Sequence, residues 1–300
     1  MGDFRTSEMS FLKIPKLGKG LSFKKDTDID TVTYFNPPVF IRHPKLFMTY
    51  LEKLSARIST AETNLCVGID PRADLMDGDL ETFVRGVIEQ ASPFTAAFKP
   101  NIAYFEAFGA SGVTVLENCL KDIPKDIPVL LDAKRSDIPE TMKYYAEAYF
   151  GQWGVDAVTL NGLMGCDSIE PFLQSPEKGV YLLAVTSNPG AVDIELKKVG
   201  DRYVFELMQA YAERTESLPG QLGLVIGLTN VSDDVLSKVK DLPLLIPGLG
   251  AQGGDLSRLD IATRKAPNLI NSSRSILYGN EGSIATRAEA ARNKIRLALG

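Results

Sequence analysis

The 300-residue chain holds one histidine, His43, and three cysteines, Cys66, Cys119 and Cys166. A serine–histidine triad or a histidine-rich metal site would have to be built on His43 alone, in the segment IRHPK. Neither is expected. An odd number of widely spaced cysteines argues against a disulfide framework or a zinc site and suits a reducing compartment. A basic surplus is also missing. The formal charge is −5 and no long basic stripe crosses the body of the chain, which excludes an evident nucleic-acid surface. Small anionic substrates stay open, because local arrangement of charge matters more than the total. No apolar run approaches the roughly 18 residues that a membrane span needs. MGDFRTSEMSFLKIPKLGKG is broken by charges and glycines and lacks a signal-peptide core. The expectation is a cytoplasmic protein with neither nucleic acid nor membrane as partner.

What is present is an ordinary globular mixture, 44% hydrophobic and 24% charged, long enough for one large α/β barrel or two smaller domains. Residues 1–40 read as an N-terminal extension. Lysines at 13, 16, 19, 24 and 25 precede Asp26, Asp28 and Asp30 without sustained periodicity, as in a flexible or loosely docked tail. A partner-binding or targeting role is the sharper alternative. From Pro44 the pattern turns helical, with Phe47, Tyr50, Leu51, Leu54 and Ile58 on one face.

Eight short apolar runs follow within residues 41–300: 64–70, 94–100, 127–133, 156–161, 179–186, 222–229, 243–250 and 268–276. Amphipathic stretches separate them, such as DLETFVRGVIEQA, PETMKYYAEAYFGQW and DRYVFELMQAYAERT. Eight strands too apolar for a one-sided sheet, alternating with helices, predict a single α/β domain, a (β/α)8 TIM barrel. A doubly wound open sheet is the runner-up, weakened because no Gly-x-Gly-x-x-Gly opens a helix after the first strand.

Barrel chemistry sits at the C-terminal ends of strands. There the polar residues gather: Asp70, Lys99, Asp132 with Lys134, Asn161, Thr186 to Asn188, Thr229 with Asn230, Gly248 to Gly254, and Ser272 to Arg274. In VLLDAKRSDI (129–138), alternation of side chains puts Asp132 and Lys134 on one face. Lys99 from the neighbouring strand and Asp137 just beyond complete a cluster of alternating charge. Such a cluster can hold a lysine beside a reacting carbon as a general acid. A structural ion-pair network at a barrel rim is the competing reading. PGLGAQGGD (247–255) offers backbone N–H groups to an anion, and NSSRSI (271–276) adds Arg274, which can grip a phosphate in bidentate fashion. Arg135 falls on the opposite face and is not assigned to chemistry. Trp153 and the Tyr144, Tyr145, Tyr149 cluster read as packing, and Glu140, Lys143 and Glu147 as a solvated helix face.

CVGIDPR, FKPN, LLDAKRSDI, MGCDS, TSNPG, GLVIG, IPGLGAQGGD and NSSR, in that order, closely resemble the orotidine 5′-phosphate decarboxylase family over roughly residues 60–280. LDAK followed by Asp137, with Lys99 upstream, is the most specific signature. The resemblance implies decarboxylation of orotidine 5′-phosphate to UMP, the last step of de novo pyrimidine nucleotide synthesis, with no metal or organic cofactor. It implies that Lys134 protonates C6 as carbon dioxide leaves. Asp132 would sit near the departing carboxylate, and Lys99 would hold the network and touch the ribose. Asp70 would bind a ribose hydroxyl, and Asn101 of FKPN would also contact substrate. Asp137 and Thr141 would be lent across a homodimer interface to the neighbour's ribose. Ser187 would meet the pyrimidine edge, Pro247 would lie beside the ring, and Gln252, Arg274 and the backbone at Ser273 would hold the phosphate. Ser136, where glycine is common, and NGLMG (161–165), in place of proline and tyrosine, depart from the family pattern without touching a charged residue. A related sugar-phosphate decarboxylase or epimerase, using carboxylates around magnesium, is a second enzyme reading. A ligand-binding barrel without activity is a third. Fusion to the phosphoribosyltransferase that makes the substrate is left open.

Overall fold

In the computed structural model the described residues are 48–229, 231–248, 256–259 and 264–299. The predicted extension, residues 1–40, lies outside them. Eight parallel strands run in chain order: β1 (Leu65–Ile69), β2 (Ala97–Pro100), β3 (Leu130–Arg135), β4 (Ala157–Leu160), β5 (Gly179–Val185), β6 (Gln221–Ile226), β7 (Leu244–Pro247) and β8 (Asn268–Ser272). Seven neighbour pairs form a continuous sheet in the order β2-β1-β8-β7-β6-β5-β4-β3. Parallel bridges from Phe98 to Val129 and from Asn101 to Asp132 join β2 back to β3. The sheet closes, and the expected (β/α)8 barrel is the fold.

Closure divides the apolar residues into two cores. One lies between the sheet and its outer helices. The other is the barrel interior, where each strand contributes one residue: Cys66, Ala97, Leu130, Ala157, Tyr181, Val225, Leu245 and Leu269. Helix α1 (Tyr50–Ala61) plugs the lower end with Tyr50 and Leu54, both buried. Its start is held by a capping box in which Thr49 and Glu52 each bond the other's backbone N–H. The Tyr50 hydroxyl meets that of Tyr181 at 3.1 Å. Gly179 is needed beside them, because a Cβ there would come within 2.4 Å of the Tyr50 ring.

Local differences from the sequence expectation have physical reasons. The eighth apolar run breaks at Ser273, whose φ −126°, ψ −82° leaves the strand, and Arg274 opens a short helix, Arg274–Leu277, instead of ending β8. DRYVFELMQAYAERT is not one helix. Arg202 and Tyr203 pair with Lys198 and Val199 in a small antiparallel hairpin, and helices follow at Val204–Gln209 and Tyr211–Arg214. PETMKYYAEAYFGQW is α-helical only to Ala146, then widens to a π-helix over Glu147–Gln152.

Candidate active site

Strand alternation carries the interior set two residues toward the C-terminal rim. There the barrel changes character: Lys99, Asp132, Thr159 and Asn271 bring buried polar groups inside, while Leu183 still packs against the apolar layer below. Lys99 and Asp132 are 5% and 8% exposed, so two opposite charges sit inside the protein. Their burial is tolerable only because they meet, Lys99 Nζ to Asp132 Oδ2, at 2.6 Å. The half-exposed Lys134 places its Nζ 2.5 Å from Asp132 Oδ1, and Thr159 donates to the same oxygen at 2.9 Å. Burial alone would lower the Lys99 ammonium, but the Asp132 and Asp70 carboxylates outweigh it and hold the group above its ordinary value. Burial likewise opposes ionisation of Asp132, yet Lys99 and Lys134 keep its carboxyl well below the usual range. Beneath them, burial pushes the Cys66 thiol up to about 12, so it remains a small hydrophobe, as expected.

Asp132 and Lys134 do meet, but not through a regular pleat. Leu131 pairs with Val158 and Arg135 with Leu160, so three residues of β3 face Thr159 alone. Lys134 occupies left-handed backbone space, φ 49°. A bulge of this kind re-aims a side chain at a strand end. The predicted quartet is a trio in the single chain: the Asp137 carboxylate accepts the Ile138 N–H at 2.8 Å and joins no ion pair among the described residues. Arg135 turns away, as expected, to Glu106 and to the Tyr149 hydroxyl, with its guanidinium over the Tyr145 ring. Tyr149 and Trp153 do pack, whereas Tyr144 is exposed.

The trio faces a cavity of about 460 Å³, whose walls also include Ser187 and Pro247. Leu163, from the NGLMG segment, reaches the same cavity. Asp70, at the end of β1, accepts the Ser273 hydroxyl on Oδ2 at 2.6 Å, while its buried Oδ1 has no hydrogen-bond partner among the described residues. Gly68 permits this approach, since a Cβ there would stand 2.8 Å from that of Ser273. Asn101 serves locally, its side chain capping the helix Ile102–Glu106 by accepting the Ala103 N–H. Thr141 lies half-buried on the helix Pro139–Ala146 and is not in the cavity wall. Arg274 is exposed and has no carboxylate partner among the described residues. Gln252 lies outside the described residues; Gly248, directly after β7, has φ 91°.

Three residues of this rim escaped the sequence reading. Thr159 could have been found by counting two residues on from Ala157. Asn271, whose buried Oδ1 lacks a hydrogen-bond partner among the described residues, could have been found by the same count from Leu269. Glu195 carries no such signal. It binds Thr186 through both N–H and hydroxyl, at 2.7 and 2.9 Å, and so holds the turn that bears Ser187. Among the described residues no group of three or more His, Cys, Asp or Glu is placed to hold a metal, and no helix is long and apolar enough to cross a membrane.

Residues 63–288 match the family described as Orotidine 5'-phosphate decarboxylase / HUMPS. The orotidine 5'-phosphate decarboxylase of Herpetosiphon aurantiacus is 38% identical over 254 residues, spanning 81% of this chain and 94% of its own. The solved OMP decarboxylase of Leishmania donovani superposes with TM-score 0.72 at 33% identity, covering 84% of this chain and 99% of that one. The UMP synthase of the same organism gives 0.75 at 35% identity, over 84% of this chain and 57% of that longer one.

Proposed function

The chain belongs to the orotidine 5'-phosphate decarboxylase / HUMPS family, and we propose on that premise that it decarboxylates orotidine 5′-phosphate to UMP in pyrimidine biosynthesis. The observation that carries this reading is the buried Lys99–Asp132 pair with the half-exposed Lys134, facing the cavity at the barrel's C-terminal rim. The C6–carboxylate bond breaks, carbon dioxide leaves, and the electron pair left on C6 takes a proton from the Lys134 ammonium. Asp132 lies near the departing carboxylate and disfavours it there, while both lysines stabilise charge as it develops on the ring. Every oxygen of Asp132 is engaged, Oδ2 by Lys99 and Oδ1 by Lys134 and Thr159. A magnesium ion would have to displace an ammonium, which favours metal-free decarboxylation over the magnesium-dependent sugar-phosphate reading.

Around this centre, Asp70 binds a ribose hydroxyl, Ser187 meets the pyrimidine edge, and Pro247 lies against the ring. Arg274, Gln252 and the backbone at Ser273 hold the phosphate, whose binding energy is spent in the transition state. Asp137 and Thr141, outside the cavity wall of the single chain, serve the neighbour's ribose in a cytoplasmic homodimer.

The test is the fall in ultraviolet absorbance on adding orotidine 5′-phosphate, with and without a chelator. Turnover unaffected by chelation is expected. Binding of UMP without any turnover would leave a ligand-binding barrel, and turnover lost to the chelator would return the magnesium reading.

A further inference from the structure

The bulge in β3 raises a question of support. Three consecutive residues, Asp132, Ala133 and Lys134, stand opposite one residue of β4. A ladder cannot pair all of their backbone groups, and a buried N–H without a partner is costly. Lys134 also sits at φ 49°, which a residue bearing a Cβ adopts only when its surroundings hold it there. The support comes from one side chain. Thr159 Oγ1 accepts the N–H of Ala133 and the N–H of Lys134, each at 3.0 Å. It donates its own proton to Asp132 Oδ1 at 2.9 Å. That is the full capacity of a hydroxyl, two bonds accepted and one donated.

The two ends of the Lys134 side chain are thereby fixed by one atom. Its backbone is held in the bulge by the Thr159 oxygen, and its ammonium lies 2.5 Å from the carboxylate oxygen that Thr159 orients. Thr159 is 1% exposed and its branched side chain suits the strand, so its hydroxyl has little freedom to take another arrangement.

We propose that Thr159 is a positioning residue for the reaction: its hydroxyl shapes the β3 bulge and aims Lys134 into the cavity. The proposal rests on Lys134 being the proton donor, and extends that reading to a residue that acts through the Lys134 backbone and the Asp132 carboxylate. A hydroxyl that merely satisfied a buried strand would contribute to stability alone. One that aims the proton donor governs the chemical step, and misplacement by about 1 Å costs on the order of 100-fold in rate.

Thr159→Val keeps the shape and removes the hydroxyl, whereas Thr159→Ser keeps the hydroxyl. Thr159→Val is expected to lose about 10- to 100-fold in kcat, with KM for orotidine 5′-phosphate within about 3-fold. Thr159→Ser is expected to recover kcat to within about 3-fold. In a crystal structure of Thr159→Val, Lys134 is expected to leave positive φ and its ammonium to separate from Asp132. An unchanged kcat in Thr159→Val, or an equal loss in Thr159→Ser, overturns the proposal. So does an intact bulge and Lys134–Asp132 contact in the Thr159→Val crystal. Should wild type fail to turn over the substrate, the functional reading falls, and the crystal comparison still judges the positioning role. Should Thr159→Val not fold, Thr159→Ala takes its place in both measurements.

Discussion

The two ends of the barrel interior are built by the same strands on the same inward face, yet they have opposite chemistry. At the lower end Leu130, Ala157 and Tyr181 pack around Tyr50 and Leu54, with a single hydroxyl pair among them. Two residues further along from Leu130 and Ala157 stand Asp132 and Thr159, beside Lys99 and below Lys134. One layer fills space and closes the barrel. The next holds buried charge that lowers stability unless every partner is present. The apolar end is therefore the part that keeps the charged end rigid, and changes at the two ends should separate stability from turnover.

The largest effect is expected at the rim. Lys134→Ala should lower kcat by about 10²- to 10⁴-fold, the usual contribution of a general acid, while UMP binding measured by calorimetry stays within about 10-fold. Lys99→Met comes next and would break the simple division of roles. It leaves the Asp132 carboxylate buried without its closest partner, so denaturant unfolding should show a loss of about 3–5 kcal/mol as well as lost activity. The pH dependence of that charged layer is a smaller signal. The folded-state value of Asp132 is depressed, so its contribution to stability is present above the ordinary carboxylate value and lost as pH falls through the depressed one. The Lys99 value is raised, so its contribution is present below the ordinary lysine value and lost as pH rises through the raised one. The stability difference between wild type and Asp132→Asn should therefore be flat between about pH 5 and 9 and shrink below about pH 4. The smallest effect belongs to the apolar end. Tyr181→Phe removes one side of the buried hydroxyl pair and should cost about 1 kcal/mol in urea unfolding with kcat unchanged. A loss of turnover in that variant would mean that the two ends are not separable.

Much of this architecture was legible before any coordinates. Eight apolar runs and the polar residues at their ends marked the strands, the barrel and the rim, because both are properties of a local pattern. Lys99, Asp132 and Lys134 were found in this way, and they do come together. Asp137 was grouped with them by spacing along the chain, but beyond the strand end its direction depends on the turn it enters, and it binds the Ile138 N–H. Asn101 was taken for substrate contact, and its side chain caps the helix that begins after it. Arg274 was placed on a strand and instead starts a helix, because the break at Ser273 is a backbone event without a hydrophobic signature.

Sequence by itself determined the alternation of each strand and hence which residues could share the barrel interior. Strand periodicity is two, and a buried layer tolerates few exceptions to it. Only the tertiary structure decided how charge is held there. Lys99 reaches Asp132 across 33 residues of chain and Thr159 reaches it across 27, contacts that exist because β2, β3 and β4 close side by side. The bulge that aims Lys134 is likewise no property of LDAK. It is set where β3 must stretch past β4, and the hydroxyl of Thr159 takes up the backbone groups left without a ladder partner.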